Sequence, residues 1–463
     1  MSDNPKNKIY DIIIAGGGIS GLYTAYKLIK NYPMLSILII EKNNYLGGRI
    51  KSTVIEGQRI DLGALRIPDS AKLTIELVKD LGLKLKKFNN KTKSIYIRQK
   101  LYVKNKFHKS QERFFLPSDT PINQSAFDLL LETILKSLNI DNIEKIKEDQ
   151  KIGLEKICNI STYNFLKTKL SQEQLSWIIE STTIRNSELC LNLFNFCRHV
   201  LINKNYFVIK TRESEFGNMS ELIINLDQKT SKIDKLLNKK INSISYNENE
   251  LFWNIEVLDD ACQKAEVFKS KIFISTIPIF ALHDLKVKIK NYQKWQKILD
   301  LFIHISKGRY YLQYEYKWWI QNSGEFIHPV NERSWILSPK SNIILASYCD
   351  VDKINLFKSL TDQELSNILH SGLCELFNID EKNTPKPIKI IKAEWDSPDN
   401  YVCSKIIPAK YNKEKLETLM QPFQDKSFFI ISDTITNNSG WIESALSSSE
   451  KSLPKIISII KNM

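Results

Sequence analysis

Near the start of the chain, Asp11-Ile12-Ile13-Ile14-Ala15 is a short apolar run rich in β-branched side chains, and it leads straight into Gly16-Gly17-Gly18-Ile19-Ser20-Gly21. A run of that length bounded by glycine predicts a buried strand. From Leu22 to Ile29 the apolar positions switch to helical spacing, so an amphipathic helix follows the turn. Ile37-Leu38-Ile39-Ile40 predicts a second buried strand, ending at Glu41. Further on, Leu73, Leu77 and Leu81 share one face of a helix predicted over Ala71 to Leu81. Lys84 to Lys106 alternates, as in Ser94-Ile95-Tyr96-Ile97 and Leu101-Tyr102-Val103, and reads as a hairpin whose lysines form a solvated face rather than a binding patch. From about Asn123 to Ile209 the pattern turns helical, with Phe127, Leu130, Ile134 and Leu138 at helix spacing. Ser171 and Gln174 predict a capping box before Leu175, Ile178 and Ile179, and Thr361 with Glu364 predicts another before Ile368 and Leu373. Lys240 to Ile244, Lys271 to Ile277, His304 to Tyr316, Asn342 to Tyr348 and Phe428 to Asp433 read as strands.

The first forty residues carry chemistry as well as structure. In a strand, glycine turn and helix unit, Gly16 makes the tight turn, Gly18 lets a pyrophosphate approach the backbone, and Gly21 lets the helix pack against the strand. The amides at Ile19 and Ser20, with the helix dipole behind them, then face phosphate charge. Glu41 stands about twenty residues on, where a carboxylate takes the ribose hydroxyls of an adenosine and disfavours a phosphorylated ribose. Gly47-Gly48-Arg49 adds a second glycine pair and a fixed cation, suited to an extended diphosphate. Within Arg59 to Pro68, Arg66 lies in a glycine-containing, mostly apolar turn, and a guanidinium there calls for an anionic partner.

These residues resemble the flavin amine oxidase superfamily, and within it the L-amino-acid oxidases: Gly16 to Gly21, Glu41, Gly47-Gly48-Arg49, Gly63-Ala64-Leu65-Arg66 and, near the end, Gly440-Trp441-Ile442-Glu443. The resemblance keeps the family's order over nearly the whole chain. It implies an α/β protein, α+β overall, with a Rossmann-like FAD-binding domain, a mixed-sheet substrate domain and an inserted helical lobe. The expected boundaries are residues 1–50, 216–286 and 420–463 for the first, 51–118 and 287–419 for the second, and 119–215 for the lobe. It further implies non-covalent or weakly anchored FAD, contacted by Gly16, Gly18, Ile19, Ser20, Gly21, Glu41, Lys42, Gly48, Arg49, Gly63, Ala64, Leu65, Arg66, Ile241, Asp433, Gly440, Trp441, Ile442 and Ala445.

The same resemblance assigns the substrate side. Arg66 grips the substrate carboxylate and Tyr348 donates its hydroxyl beside it. The carbonyl of Gly440 receives the amine, Trp441 walls the pocket, and His199 falls near a histidine that the family places by the substrate; Trp395 and Tyr401 are further candidate walls. Phe216-Gly217-Asn218-Met219 resembles the family's glycine-methionine turn. Two positions depart from the pattern. The family lysine that reaches the flavin through a water is matched by Arg309, with Lys307 two residues earlier on the same strand face. Arginine does not titrate usefully, so either Lys307 substitutes or reoxidation by dioxygen differs. Ser432-Asp433 stands where the family usually shows Gly-Glu.

Composition adjusts this picture little. With 463 residues and 42% hydrophobic positions, the chain has material for two or three lobes. Its formal net charge of +14 comes from lysine dispersed among asparagine and isoleucine, with no basic run interleaved with aromatics, so no nucleic-acid partner is expected. The seven cysteines lack C-x-x-C spacing and read as free thiols of a reducing compartment. A polar start without a secretory segment and a final stretch too short to span a bilayer make a cytoplasmic protein without a membrane anchor the expectation. No metal-ligand cluster is visible, and a homodimer is compatible with a sequence that fixes no oligomeric state. The expected reaction is oxidation of an L-amino acid to a 2-oxo acid, ammonia and, with dioxygen as acceptor, hydrogen peroxide. The alternatives are a polyamine or monoamine oxidase, an amino-acid monooxygenase, and a flavin-binding scaffold whose charge holds an acidic or nucleic-acid partner.

Overall fold

The structure, a computed structural model, describes residues 8–89, 91–103, 124–143, 160–182, 184, 186–197, 205–210, 218–259, 264–289, 292–299, 306–321, 323–395, 420, 421, 423, 426–435 and 441–463. Its first sheet has eight strands. The strand Ile9–Ala15 lies at its centre, parallel to Ile37–Ile40 on one side and to Ala265–Ser275 on the other. Strands Lys239–Asn247, Phe252–Asp259 and Ala265–Ser275 form an antiparallel meander beside it. The first strand is apolar throughout because both its faces are covered. Ile12 and Ile14 pack against helices Ile19–Asn31, Ser220–Lys229 and Ile442–Lys461, whereas Ile13 and Ala15 face Trp253, Phe273 and Phe428.

The second sheet has seven strands, in the order Lys389–Trp395, Lys307–Gln313, Ile343–Asp350, Glu332–Ile336, Gly324–His328, Thr92–Ile97 and Lys100–Val103. It is mixed, since Gly324–His328 runs parallel to Thr92–Ile97 while its other pairs are antiparallel. Alternation along Lys307–Gln313 divides its side chains. Tyr310 and Leu312 join the core under helix Asp362–Phe377, and Tyr311 turns to the opposite face with Trp335 and Leu345.

A separate cluster of helices, Ala126–Leu138, Thr162–Lys167, Gln172–Ser181, Asn186–Leu189 and Leu193–Phe196, has its own apolar core around Leu130, Ile134, Leu166, Ile178 and Phe196. Both predicted capping boxes are present, at Ser171 with Gln174 and at Thr361 with Glu364.

Three expectations are corrected. Lys84–Phe88 is not an arm of the hairpin, which runs from Thr92 to Val103; it pairs with Tyr206–Lys210 in a three-stranded sheet completed by Ile67–Pro68. Tyr206–Lys210 is therefore strand where a helical pattern was read, because a short apolar run is helix or strand according to the partner it finds. Phe127 is 41% exposed, and the helix buries Ala126, Leu129, Leu130 and Ile134 instead.

Candidate functional site

The two glycine segments meet face to face. Gly47 donates its N–H to the Gly17 carbonyl at 2.9 Å, and Gly18 and Gly47 form a parallel bridge. Gly16 has φ +101° and packs so closely that a Cβ would lie 2.8 Å from Thr276 Oγ1. At Gly21 a Cβ would lie 2.2 Å from the Gly16 carbonyl oxygen, but at Gly18 it would meet nothing within 4 Å. Gly18 is also the N-cap of helix Ile19–Asn31, with no side-chain cap and no acidic residue in the first turn. A helix start with open space before its amides suits an anion. Buried Glu41 sits at the edge of this space, its carboxylate accepting from Gly17 N at 2.8 Å and from Asn43 N and Nδ2 at 2.9 Å. Glu41 also exchanges backbone hydrogen bonds with Leu236 and Lys239, two residues before half-buried Ile241. Lys42 follows on the same turn, half-buried.

From Gly48 the contacts continue without a break. Arg49 forms a two-pronged pair with Asp433, Nη1 to Oδ2 at 2.8 Å and Nη2 to Oδ1 at 2.6 Å. Its carbonyl accepts from Ala64 N at 3.0 Å, and a Cβ on Gly63 would lie 1.8 Å from that oxygen, so the Gly63-Ala64-Leu65-Arg66 turn is pressed onto the second glycine pair. Trp395 donates Nε1 to the Leu62 carbonyl at 2.8 Å and packs on the same turn. Beyond it the Arg66 guanidinium lies over the Tyr206 ring at 4.2 Å and the Trp335 ring at 5.5 Å. Tyr206 stacks on Trp441 at 6.3 Å, Trp335 tilts against Tyr348 at 5.9 Å, and Arg309 lies over Tyr348 at 5.1 Å. Arg66 has no carboxylate partner among the described residues.

Residues 19–452 match the family described as flavin containing amine oxidoreductase. The chain belongs to that family. It is 24% identical over 398 residues to a putative L-amino-acid oxidase of Bacillus subtilis, covering 81% of this chain and 79% of that protein. It is 40% identical over 78 residues to an uncharacterized protein of Acanthamoeba polyphaga mimivirus, a match spanning only 16% of this chain and 15% of the relative. A solved structure of a putrescine oxidase double mutant, redesigned in its cofactor binding, superposes with a TM-score of 0.69 at 14% identity, covering 97% of this chain and 99% of that one. The fold is thus that of a flavin amine oxidase.

The cofactor of this flavin amine oxidoreductase is FAD, and the residues present fit it. Gly16 to Gly21, with Glu41, offer an open, uncapped helix start and a buried carboxylate for the adenosine half. Asp433 already holds Arg49, so its carboxylate serves the site through that cation. At the closing helix Trp441 is the N-cap without a side-chain cap, Ile442 is half-buried and Ala445 buried. Glu443 accepts from Leu73 N at 3.1 Å and from Thr74 N and Oγ1 at 2.9 and 2.8 Å, tying this helix to the start of helix Lys72–Asp80.

Arg309, which stands where the family has its lysine, and its neighbour Lys307 also have a place. Arg309, 8% exposed, donates Nη1 to the Asp61 carbonyl at 3.1 Å, beside Tyr311 O–H on the same oxygen at 2.6 Å. Lys307 is ion-paired with Asp350, its register partner across the sheet, close to the Arg309 and Tyr348 register pair. His199, Tyr401 and Gly440 lie outside the described residues.

Tyr206, Trp335 and Asp61 were not picked out as site residues from the sequence. Tyr206 hides in an apolar run and Trp335 among ordinary strand residues, so neither carries a local signal. Asp61 is 1% exposed, accepting from Ser52 Oγ at 2.5 Å and Met219 N at 3.3 Å. Burial pushes its carboxyl up to about 7, against the pull of Ser52, Arg309, Met219 and Arg59. Among the described residues there is no cluster that would hold a metal ion, and no helix is long and apolar enough to cross a membrane.

Proposed function

We propose that the protein oxidises the α-amine of an L-amino acid to an imino acid, which water converts to a 2-oxo acid and ammonia. The observation that carries this reading is Arg66, a half-buried guanidinium in an aromatic recess without a carboxylate of its own among the described residues. Arg66 takes the substrate carboxylate through a bidentate, charge-assisted pair, and Tyr348 adds a hydrogen bond beside it. Trp441 and Trp335 wall the recess and exclude water. Held at its carboxylate, the amino acid presents its Cα–H in one orientation, which is how positioning lowers the barrier. When bound, FAD supplies the acceptor for the hydride leaving Cα. Arg309, fixed on the Asp61 carbonyl, contributes a positive charge beside Tyr348. Dioxygen as final acceptor, giving hydrogen peroxide, and a cytoplasmic location belong to the same reading.

The test is anaerobic. Pools of L-amino acids, then polyamines, are added to the flavin-loaded protein while the visible band of the oxidised flavin is followed. Amino acids should bleach it, and Arg66→Ala should lower the rate constant per substrate concentration by roughly a hundredfold or more while the cofactor stays bound. Bleaching by polyamines alone, or an unaffected Arg66→Ala protein, refutes the assignment, because a simple amine leaves the guanidinium unpaired. Admitting air afterwards reports how fast dioxygen reoxidises a site with Arg309 in place of lysine.

A further inference from the structure

Arg66 is held by two flat faces and no charge among the described residues. Its guanidinium carbon is 4.2 Å from the centroid of Tyr206 and 5.5 Å from that of Trp335. Both rings are themselves fixed. Tyr206 is 9% exposed, lies opposite Pro68 in the register with Ile67–Pro68, just past Arg66, and stacks on Trp441. Trp335 is 2% exposed, opposite Leu345 across the sheet, and leans on Tyr348. Its indole Nε1 is buried without a hydrogen-bond partner among the described residues.

How an arginine is anchored decides what it can still bind. A carboxylate partner takes the edge of the guanidinium, where the N–H donors lie, whereas an aromatic face takes its plane and leaves the edge for something else. Aromatic anchoring also fixes the cation without cancelling its charge. We infer that Tyr206 and Trp335 are positioning residues, an aromatic clamp that presents the edge of Arg66 to a carboxylate and thereby sets the preference of the site for amines bearing one. The inference rests on the reading of Arg66 as the carboxylate anchor. It adds a role for Tyr206, which stands on the strand Tyr206–Lys210.

The experiment uses the flavin-loaded enzyme and benzoate as the carboxylate probe, with benzamide as its uncharged control, read by the shift of the flavin's visible band. Tyr206→Leu and Trp335→Leu should weaken benzoate about tenfold, while Tyr206→Phe and Trp335→Phe, which keep a face, stay within about threefold of wild type. Leucine at a buried ring site can disturb packing, so the deciding comparison is phenylalanine against pentafluorophenylalanine at position 206. The two have nearly one shape and opposite ring quadrupoles. The clamp requires weaker benzoate binding and a rise in KM for the amino acid that is larger than any fall in kcat in the fluorinated protein. Equal binding by the two proteins, with benzoate lost in Arg66→Ala, overturns the clamp and leaves the role of Arg66 standing. Benzoate bound undiminished by Arg66→Ala overturns the role of Arg66 and the clamp with it.

Discussion

Gly18 and Gly21 occupy one loop and are glycine for different reasons. A methyl group at Gly21 collides with the Gly16 carbonyl 2.2 Å away, whereas at Gly18 it points into open space from an ordinary φ of −74°. Gly21→Ala should therefore destabilise the flavin-free protein by about 1–3 kcal/mol, as overpacking does. Gly18→Ala should leave its stability within about 0.5 kcal/mol and weaken FAD binding, the space being where the diphosphate comes. Melting of the flavin-free proteins and flavin titration separate the two; equal destabilisation would contradict the assignment. Asp61 gives a pH prediction. Its carboxyl is raised from 3.8 to about 7 by burial, so between those values the folded state binds the proton that the unfolded state releases. Its contribution to stability is greatest below pH 4, falls as pH rises to about 7 and is flat beyond, with a loss of about 1.4 kcal/mol for each tenfold fall in proton concentration across that window. Asp61→Asn should flatten that part of the melting profile between pH 4 and 7. A variant with the wild-type slope would mean that another group titrates.

Among elements, local signals set the helices and distant partners set the strands. The capping boxes at Ser171 and Thr361 were legible because donor and acceptor lie three residues apart. The strand Tyr206–Lys210 was not, since its partners are Ile67–Pro68 and Lys84–Phe88, and nothing within five residues of sequence encodes that pairing. Glu443 joins two elements in the same non-local way. It serves as the missing N-terminal cap of helix Lys72–Asp80, whose own N-cap, Ala71, has no side chain able to do so. Glu443→Ala should cost about 2 kcal/mol, the value of hydrogen bonds to a charged group, and speed amide exchange at Leu73 and Thr74. Unchanged exchange there would show that the cap is not used in solution.

On the scale of the whole molecule, the glycine cradle belongs to the first sheet, Trp335 and Tyr348 to the second and Tyr206 to the three-stranded sheet, and the Arg49, Gly63 and Arg66 segment joins them. We propose that FAD lies along that seam, so it should stabilise the assembled molecule by mass action. At a free concentration a hundredfold above its dissociation constant the gain is about 2.7 kcal/mol. Removing and restoring FAD should lower and then recover the melting temperature, with no recovery on adding a nicotinamide dinucleotide. Equal recovery with either dinucleotide would argue against a flavin seat. The formal charge of +14 plays no part in this, and the described lysines include many in surface ion pairs that each contribute little.

The sequence by itself determined the flavin amine oxidase family and the opening strand, glycine turn and helix, because glycine spacing, a strand and a helix start act within about thirty consecutive residues. It also offered Arg66, through the Gly63 to Arg66 motif, and Tyr348, through its order in the chain, as candidates. Only the tertiary structure decided what surrounds them. Tyr206 and Trp335 reach Arg66 from strands far apart in the chain, Asp433 turns its carboxylate to Arg49, and Lys307 pairs with Asp350. The first two depend on which faces separate segments turn toward each other and the last on strand register, and in each case a side chain's partner is set by distance in space, which the order of residues does not state.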